Sequence, residues 1–172
     1  REGLLNLSYG NAILSRHPIT DWENIVFGAK TLGEKGFLFA ELDVDGRCVP
    51  ILNLHLNFRS RVHRFHQVER VMNYVSEKHN YRQMEWFIPP IVCGDMNNPS
   101  HRPDATAELM RYFSLHGDYS LLPKDGRTFP AHMPSRGLDF VFLPPGCQEI
   151  SCEIGKTKLS DHCPVWVDFT LI

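Results

Sequence analysis

The sequence predicts an α+β domain in which mixed sheets are covered by helices. Three observations carry this: an alternating hairpin over 36–56, a helical stretch over 61–79, and strand-like runs on both sides of a second helical segment. At 172 residues the chain amounts to one domain, 1–172, with no internal repeat, low-complexity tract or linker.

The elements follow in order. Residues 11–15 form a short apolar run ended by His17-Pro18, as a strand stopped by proline would be. Over 36–44, Leu38, Ala40, Leu42 and Val44 alternate with Phe37, Phe39, Glu41 and Asp43, and Asp45-Gly46 supplies a two-residue hairpin turn. The return strand, 48–56, sets Leu52, Leu54 and Leu56 on one face and Ile51, Asn53 and His55 on the other. From Arg61 to His79 the period changes, with Val62, Phe65, Val68, Val71, Met72 and Val75 forming one apolar stripe. After Pro89-Pro90 an apolar strand, Ile91-Val92-Cys93, runs straight into Gly94-Asp95; a second helix spans Ala105 to His116, and strands follow at 138–143, 148–154 and 163–171.

Composition excludes several classes. With 42% hydrophobic and 22% charged residues the chain is neither disordered nor fibrous. It carries no run of the ~20 apolar residues that a membrane helix needs. A net charge of -2 gives the whole domain no general attraction to a phosphate backbone. The five cysteines are odd in number and lack metal-finger spacing, so a reduced, cytoplasmic chain is expected rather than a disulfide framework. Without a Gly-x-Ser-x-Gly elbow or a Gly-rich phosphate loop, serine hydrolases and P-loop enzymes drop out.

The chemistry gathers at strand ends, where a sheet fixes polar groups and leaves them open to solvent. Gly94-Asp95-Met96-Asn97 ends a buried strand, Ser160-Asp161-His162 precedes the last one, His55 and Asn53 share the non-leucine face of the hairpin, and Asp139 lies between Leu138 and Phe140. Singly, each has an ordinary explanation as a turn cap, a satisfied histidine or an ion-pair partner. Together they match phosphoester hydrolysis, which needs a hard cation, a base for water and donors for the equatorial oxygens. Asp161 offers an oxygen ligand for Mg²⁺ or Mn²⁺, His162 can take a proton, Asp139 can orient its imidazole, and His55 and Asn97 can donate to phosphate oxygens.

Five segments in order, Gly10-Asn11-Ala12-Ile13-Leu14-Ser15-Arg16, Asn53-Leu54-His55-Leu56, Gly94-Asp95-Met96-Asn97, Leu138-Asp139-Phe140-Val141-Phe142 and Ser160-Asp161-His162-Cys163-Pro164-Val165, resemble the motif set of the endonuclease/exonuclease/phosphatase superfamily. The resemblance implies a four-layered α/β sandwich, two mixed sheets face to face with helices outside, and Mg²⁺- or Mn²⁺-dependent cleavage of phosphoesters. Carried over by position, it makes Asp95 the residue that readies water and helps bind metal, and Asn97 a phosphate contact. Asp139 becomes the orienter of His162, Asp161 a metal ligand, His162 a base or transition-state donor, and His55 the stabiliser of pentavalent phosphorus.

Two features depart from that pattern. The family's Asn-bearing first strand and Gln-Glu strand end are not found, and Glu2 sits in no such context, so a C-terminal part of the domain with weakened activity of its own is expected. Arg136 stands one position from its usual place before Leu138-Asp139 and no Trp is near, unlike the abasic-site endonucleases; with Thr128-Phe129-Pro130 upstream the motif is more similar to bacterial metal-dependent hydrolases of the family. The expected activity is that of a phosphodiesterase. A phosphomonoesterase acting on nucleotides or inositol or lipid phosphates, and a non-catalytic binding module, stand as alternatives. The expected partner is a phosphoester substrate, whether nucleic acid, nucleotide or phospholipid headgroup, met by a monomer. His63 and His66 are taken as a polar helix face. Arg59, Arg61, Arg64 and Arg70, like Lys156 and Lys158, are either solvated or placed to draw in an anion.

Overall fold

The computed structural model describes residues 10–28, 36–82 and 85–172. Glu2 lies outside the described residues. The strands are β1 (Ile19–Val26), β2 (Gly36–Val44), β3 (Arg47–His55), β4 (Ile91–Asp95), β5 (Ser120–Leu122), β6 (Asp139–Leu143), β7 (Cys147–Ile154) and β8 (Val165–Leu171). The helices are α1 (Arg61–Arg82) and α2 (Ala105–Ser114). One six-stranded sheet has the order β1-β2-β3-β4-β6-β5, and β7 and β8 form a second, antiparallel sheet. In the large sheet β3 and β4 are parallel and the other pairs antiparallel, so it is mixed.

The alternation in β2 and β3 decides the layering. Phe37, Phe39, Leu52, Leu54 and Leu56 face the helices and join Val68, Val71, Val75, Leu109 and Phe113 in the main core. On the opposite face Leu42, Val49 and Ile91 pack with Ile51, Val141, Cys147, Phe169 and Leu171, which seats the β7–β8 sheet on the large one. Each such buried side chain stabilises the fold by roughly 1.5–3 kcal/mol. The β2–β3 hairpin turns at Asp45 (φ 54°) and Gly46 (φ 80°), where the Asp43 carboxylate accepts the Gly46 N–H at 2.7 Å.

Several sequence expectations are corrected. Residues 11–15 are not a strand; they run alongside β3, where Asn53 donates to the Ala12 carbonyl at 2.9 Å, and the paired strand is β1, beyond Pro18. β1 reads poorly because Asp21, Glu23 and Asn24 interrupt it; its acids pair instead with Lys78 of α1. The helical stripe is displaced, with Val62 exposed and Arg64 buried. Arg64 therefore belongs neither to a solvated face nor to an anion-drawing one. Its guanidinium grips both oxygens of Asp104 and donates to the Asn57 carbonyl at 3.0 Å. Asp104 is in turn the N-cap of α2, accepting the Ala105 N–H at 2.7 Å. One ion pair thus locks α1, the loop after β3 and the start of α2 together.

Burial alone would raise the Asp104 carboxyl, but the bonds from Arg64 and Ala105 and the arginine charge hold it below the ordinary carboxylate range. A depressed native value means that its contribution is complete above the unfolded value of ~4 and is lost as pH falls through the native one. Asp104→Asn should cost roughly 3 kcal/mol at pH 7, since it leaves a buried guanidinium without its charge partner. In urea titrations its stability should approach that of the wild type as pH falls below ~4.

Candidate active site

Strand register builds the site. His55 pairs with Asp95 across β3 and β4, and Asp95 pairs with Asp139 across β4 and β6, so three polar residues form one row. All three lie on the face that carries the second sheet, at the end where β3 and β4 finish and β6 begins. His55 Nε2 is 3.5 Å from Asp95 Oδ2. The fourth member arrives from the loop before β8: His162 Nδ1 lies 2.8 Å from Asp139 Oδ2, and its Nε2 is 3.9 Å from Asp95 Oδ2. An ionised carboxylate only accepts, so Nδ1 carries the proton in this bond and Nε2 of the neutral ring keeps its lone pair for the side facing Asp95.

The turn after β4 aims Asp95. Gly94 adopts φ 132°, and a Cβ there would fall 2.0 Å from the Leu54 carbonyl oxygen, so only glycine allows β3 and β4 to approach this closely. Asn97, at φ 54°, donates its backbone N–H to Asp95 Oδ1 at 2.8 Å. Its amide nitrogen donates to Asp95 Oδ2 at 3.0 Å and to the Leu56 carbonyl at 2.9 Å. Both amide protons are thereby engaged, and a phosphate contact through this nitrogen would exchange one of these bonds.

Asp161 stands apart from this cluster. It is exposed, and its carbonyl accepts the Ala131 N–H at 2.7 Å. With His132, Lys156, Lys158 and Ser160 it lines an open cavity of about 950 Å³, in which no residue of the row takes part. Among the described residues the ligand atoms of Asp95, Asp139 and His162 lie within 4.8 Å of one another. Two carboxylates are oxygen donors of the kind a hard divalent cation takes, so the donor set suits one. Both carboxylates already accept hydrogen bonds, Asp139 from His162 and Asp95 from Asn97, and each oxygen keeps a further lone pair for a cation.

Sequence reasoning assigned no role to Thr128 and Phe129. Thr128 is fully buried and accepts the N–H groups of Leu138 and Asp139 on its hydroxyl, while the Phe129 ring lies 4.8 Å from that of His162. A buried threonine beside a cis Phe129–Pro130 bond was written in the order Thr128-Phe129-Pro130, but only the folded chain shows what it touches. Cysteine chemistry finds no support beside the row: burial pushes the Cys93 thiol up to about 11, so it stays protonated at neutral pH. No disulfide joins any of the five cysteines.

Comparison with known proteins places these features. A family model described as Endonuclease/Exonuclease/phosphatase family matches residues 5–162. The uncharacterized protein YbhP of Escherichia coli is 26% identical over 173 residues, covering 95% of this chain and 63% of its own length. The chain thus spans less than two thirds of that relative. The catalytic domain of human Nocturnin, solved with bound sulfate, superposes with a TM-score of 0.68 at 19% identity, over 91% of this chain and 61% of that one. A mannosyl-6-phosphatase of Bacteroides thetaiotaomicron gives 0.65 at 14% identity, over 90% and 67%.

Gly94→Ala should lower the unfolding free energy by roughly 3 kcal/mol or more, because a side chain cannot enter without parting β3 from β4. Urea unfolding measures this; a loss under about 1 kcal/mol would show that the close approach is dispensable.

Proposed function

The chain belongs to the endonuclease/exonuclease/phosphatase family, and on that premise we propose that its site hydrolyses phosphoesters, with a phosphodiester as substrate. The supporting observation is the convergence of His55, Asp95, Asp139 and His162 from separate segments, with the Asp139–His162 bond at 2.8 Å.

In this proposal His162 works through Nε2, as base toward water or as a donor to the phosphoryl oxygens. Asp139 keeps the Nδ1 proton in place and stabilises the ring when it is charged. Asp95, aimed by Asn97, orients the attacking water. His55, at the end of the row, donates to the charge that gathers on the equatorial oxygens. Asn97 contributes chiefly by holding Asp95. A divalent cation, Mg²⁺ or Mn²⁺, would be held by Asp95 beside Asp139, rather than by Asp161, which lies outside that cluster, and would neutralise phosphate charge when bound.

A monoesterase reading draws on the mannosyl-6-phosphatase likeness, which concerns the fold. Parallel assays of the full-length protein on bis(p-nitrophenyl) phosphate and p-nitrophenyl phosphate decide between them. Faster turnover of the diester is expected, and faster turnover of the monoester would replace this reading.

Asp95→Asn and His162→Ala should each lower kcat/KM by about a thousandfold or more, because residues that act as a unit fail together. EDTA should abolish turnover and added Mg²⁺ or Mn²⁺ should restore it. A loss under about tenfold in either variant would remove that residue from the reacting centre.

A further inference from the structure

We propose that Thr128 is a positioning residue that sets the Asp139–His162 pair, an inference that rests on the hydrolytic reading of this site. Thr128 bonds both of the segments that carry that pair. Its Oγ1 accepts the Leu138 N–H at 3.1 Å and the Asp139 N–H at 3.3 Å, fixing the start of β6. Its carbonyl accepts the Cys163 N–H at 2.7 Å, fixing the residue after His162. Its own N–H donates to the Arg136 carbonyl at 2.8 Å, closing the loop that leads into β6.

The following residues extend the same bracket. The Phe129 ring lies against His162, with Arg136 over it at 4.9 Å, and Ala131 N–H bonds the Asp161 carbonyl at 2.7 Å. Segment 128–131 therefore touches Asp161, His162 and Cys163 in turn, and its Thr128 also bonds the Asp139 N–H. This matters because Asp139 starts β6 of the large sheet whereas His162 lies in the loop before β8, and the bond between them depends on how those segments sit. A side chain that is 0% exposed and accepts two backbone donors can hold that spacing without meeting substrate.

The test compares Thr128→Val, which keeps the shape and removes the acceptor, with Thr128→Ser, which keeps the acceptor. It uses the full-length protein labelled with [¹⁵N]histidine. The first readout is the downfield Nδ1 proton of His162, assigned by its absence in His162→Gln; the second is kcat and KM. The wild type and Thr128→Ser should show the resonance. Thr128→Val should lose it, with kcat lower by about 10- to 100-fold and KM changed by less than about threefold.

Retention of the resonance and of kcat within about threefold in folded Thr128→Val overturns the proposal, as does a Ser variant impaired as badly as the Val variant. If Thr128→Val does not fold, Thr128→Ser decides alone: a retained resonance supports the role and a lost one overturns it. The resonance needs no turnover. A wild type that shows it yet hydrolyses no phosphoester would defeat the hydrolytic reading and leave the positioning result standing.

Discussion

The pairing of β3 with β4 and of β4 with β6 places His55, Asp95 and Asp139 side by side, and the rest of the site depends on that register. Side chains alternate along a strand, so a slip by one residue in any of the three would turn a polar group toward the helices and a leucine or phenylalanine toward the second sheet. The apolar residues of the same strands enforce the pairing, since Leu52, Leu54 and Phe140 are buried on the other face. Core and chemistry are specified by a single alternation. Gly94 adds the second half of the constraint, a close approach that a side chain would forbid.

Polar burial supports this frame at two further points. Arg64 and Asp104 join α1 to the start of α2, and Glu41, fully buried, accepts from Trp86 at 2.8 Å and Arg82 at 2.6 Å where α1 ends. Buried charges cost desolvation and are kept only when paired and bonded. Here they fix where the long helix begins and ends over the sheet, and so where the loop after His55 lies.

Much of this was legible in the sequence, for physical reasons. The hairpin showed through its strict alternation and Asp45-Gly46, and the strand before Gly94-Asp95 through its unbroken apolar run. The face shared by Asn53 and His55 followed from a period of two. The strand ends carrying Asp95, Asp139 and His162 stood out because polar residues interrupt apolar runs there. Other features depend on tertiary partners. β1 is an edge strand whose charged residues answer to Lys78, and residues 11–15 are held through side-chain bonds rather than a ladder. Arg64 looked like one of four surface arginines until Asp104, 40 residues on, was seen beside it. Thr128 showed in the sequence only as part of Thr128-Phe129-Pro130, and its role did not, since its partners are backbone groups 8 to 35 residues away.

His162 enters the site on the lead-in to β8, whereas the three residues that face it belong to the large sheet. The seam between the two sheets therefore runs through the middle of the chemistry, and the site works as an interlock. If the β7–β8 sheet lifts, the apolar contacts of Phe169 and Leu171 part first, and the imidazole leaves while the acid row and the helical core remain. The pairing of His162 with Asp139 is in this way tied to the less extensive of the two cores. Under mild denaturant, loss of the Asp139–His162 bond should run ahead of loss of helical signal, in the manner of local opening rather than global unfolding.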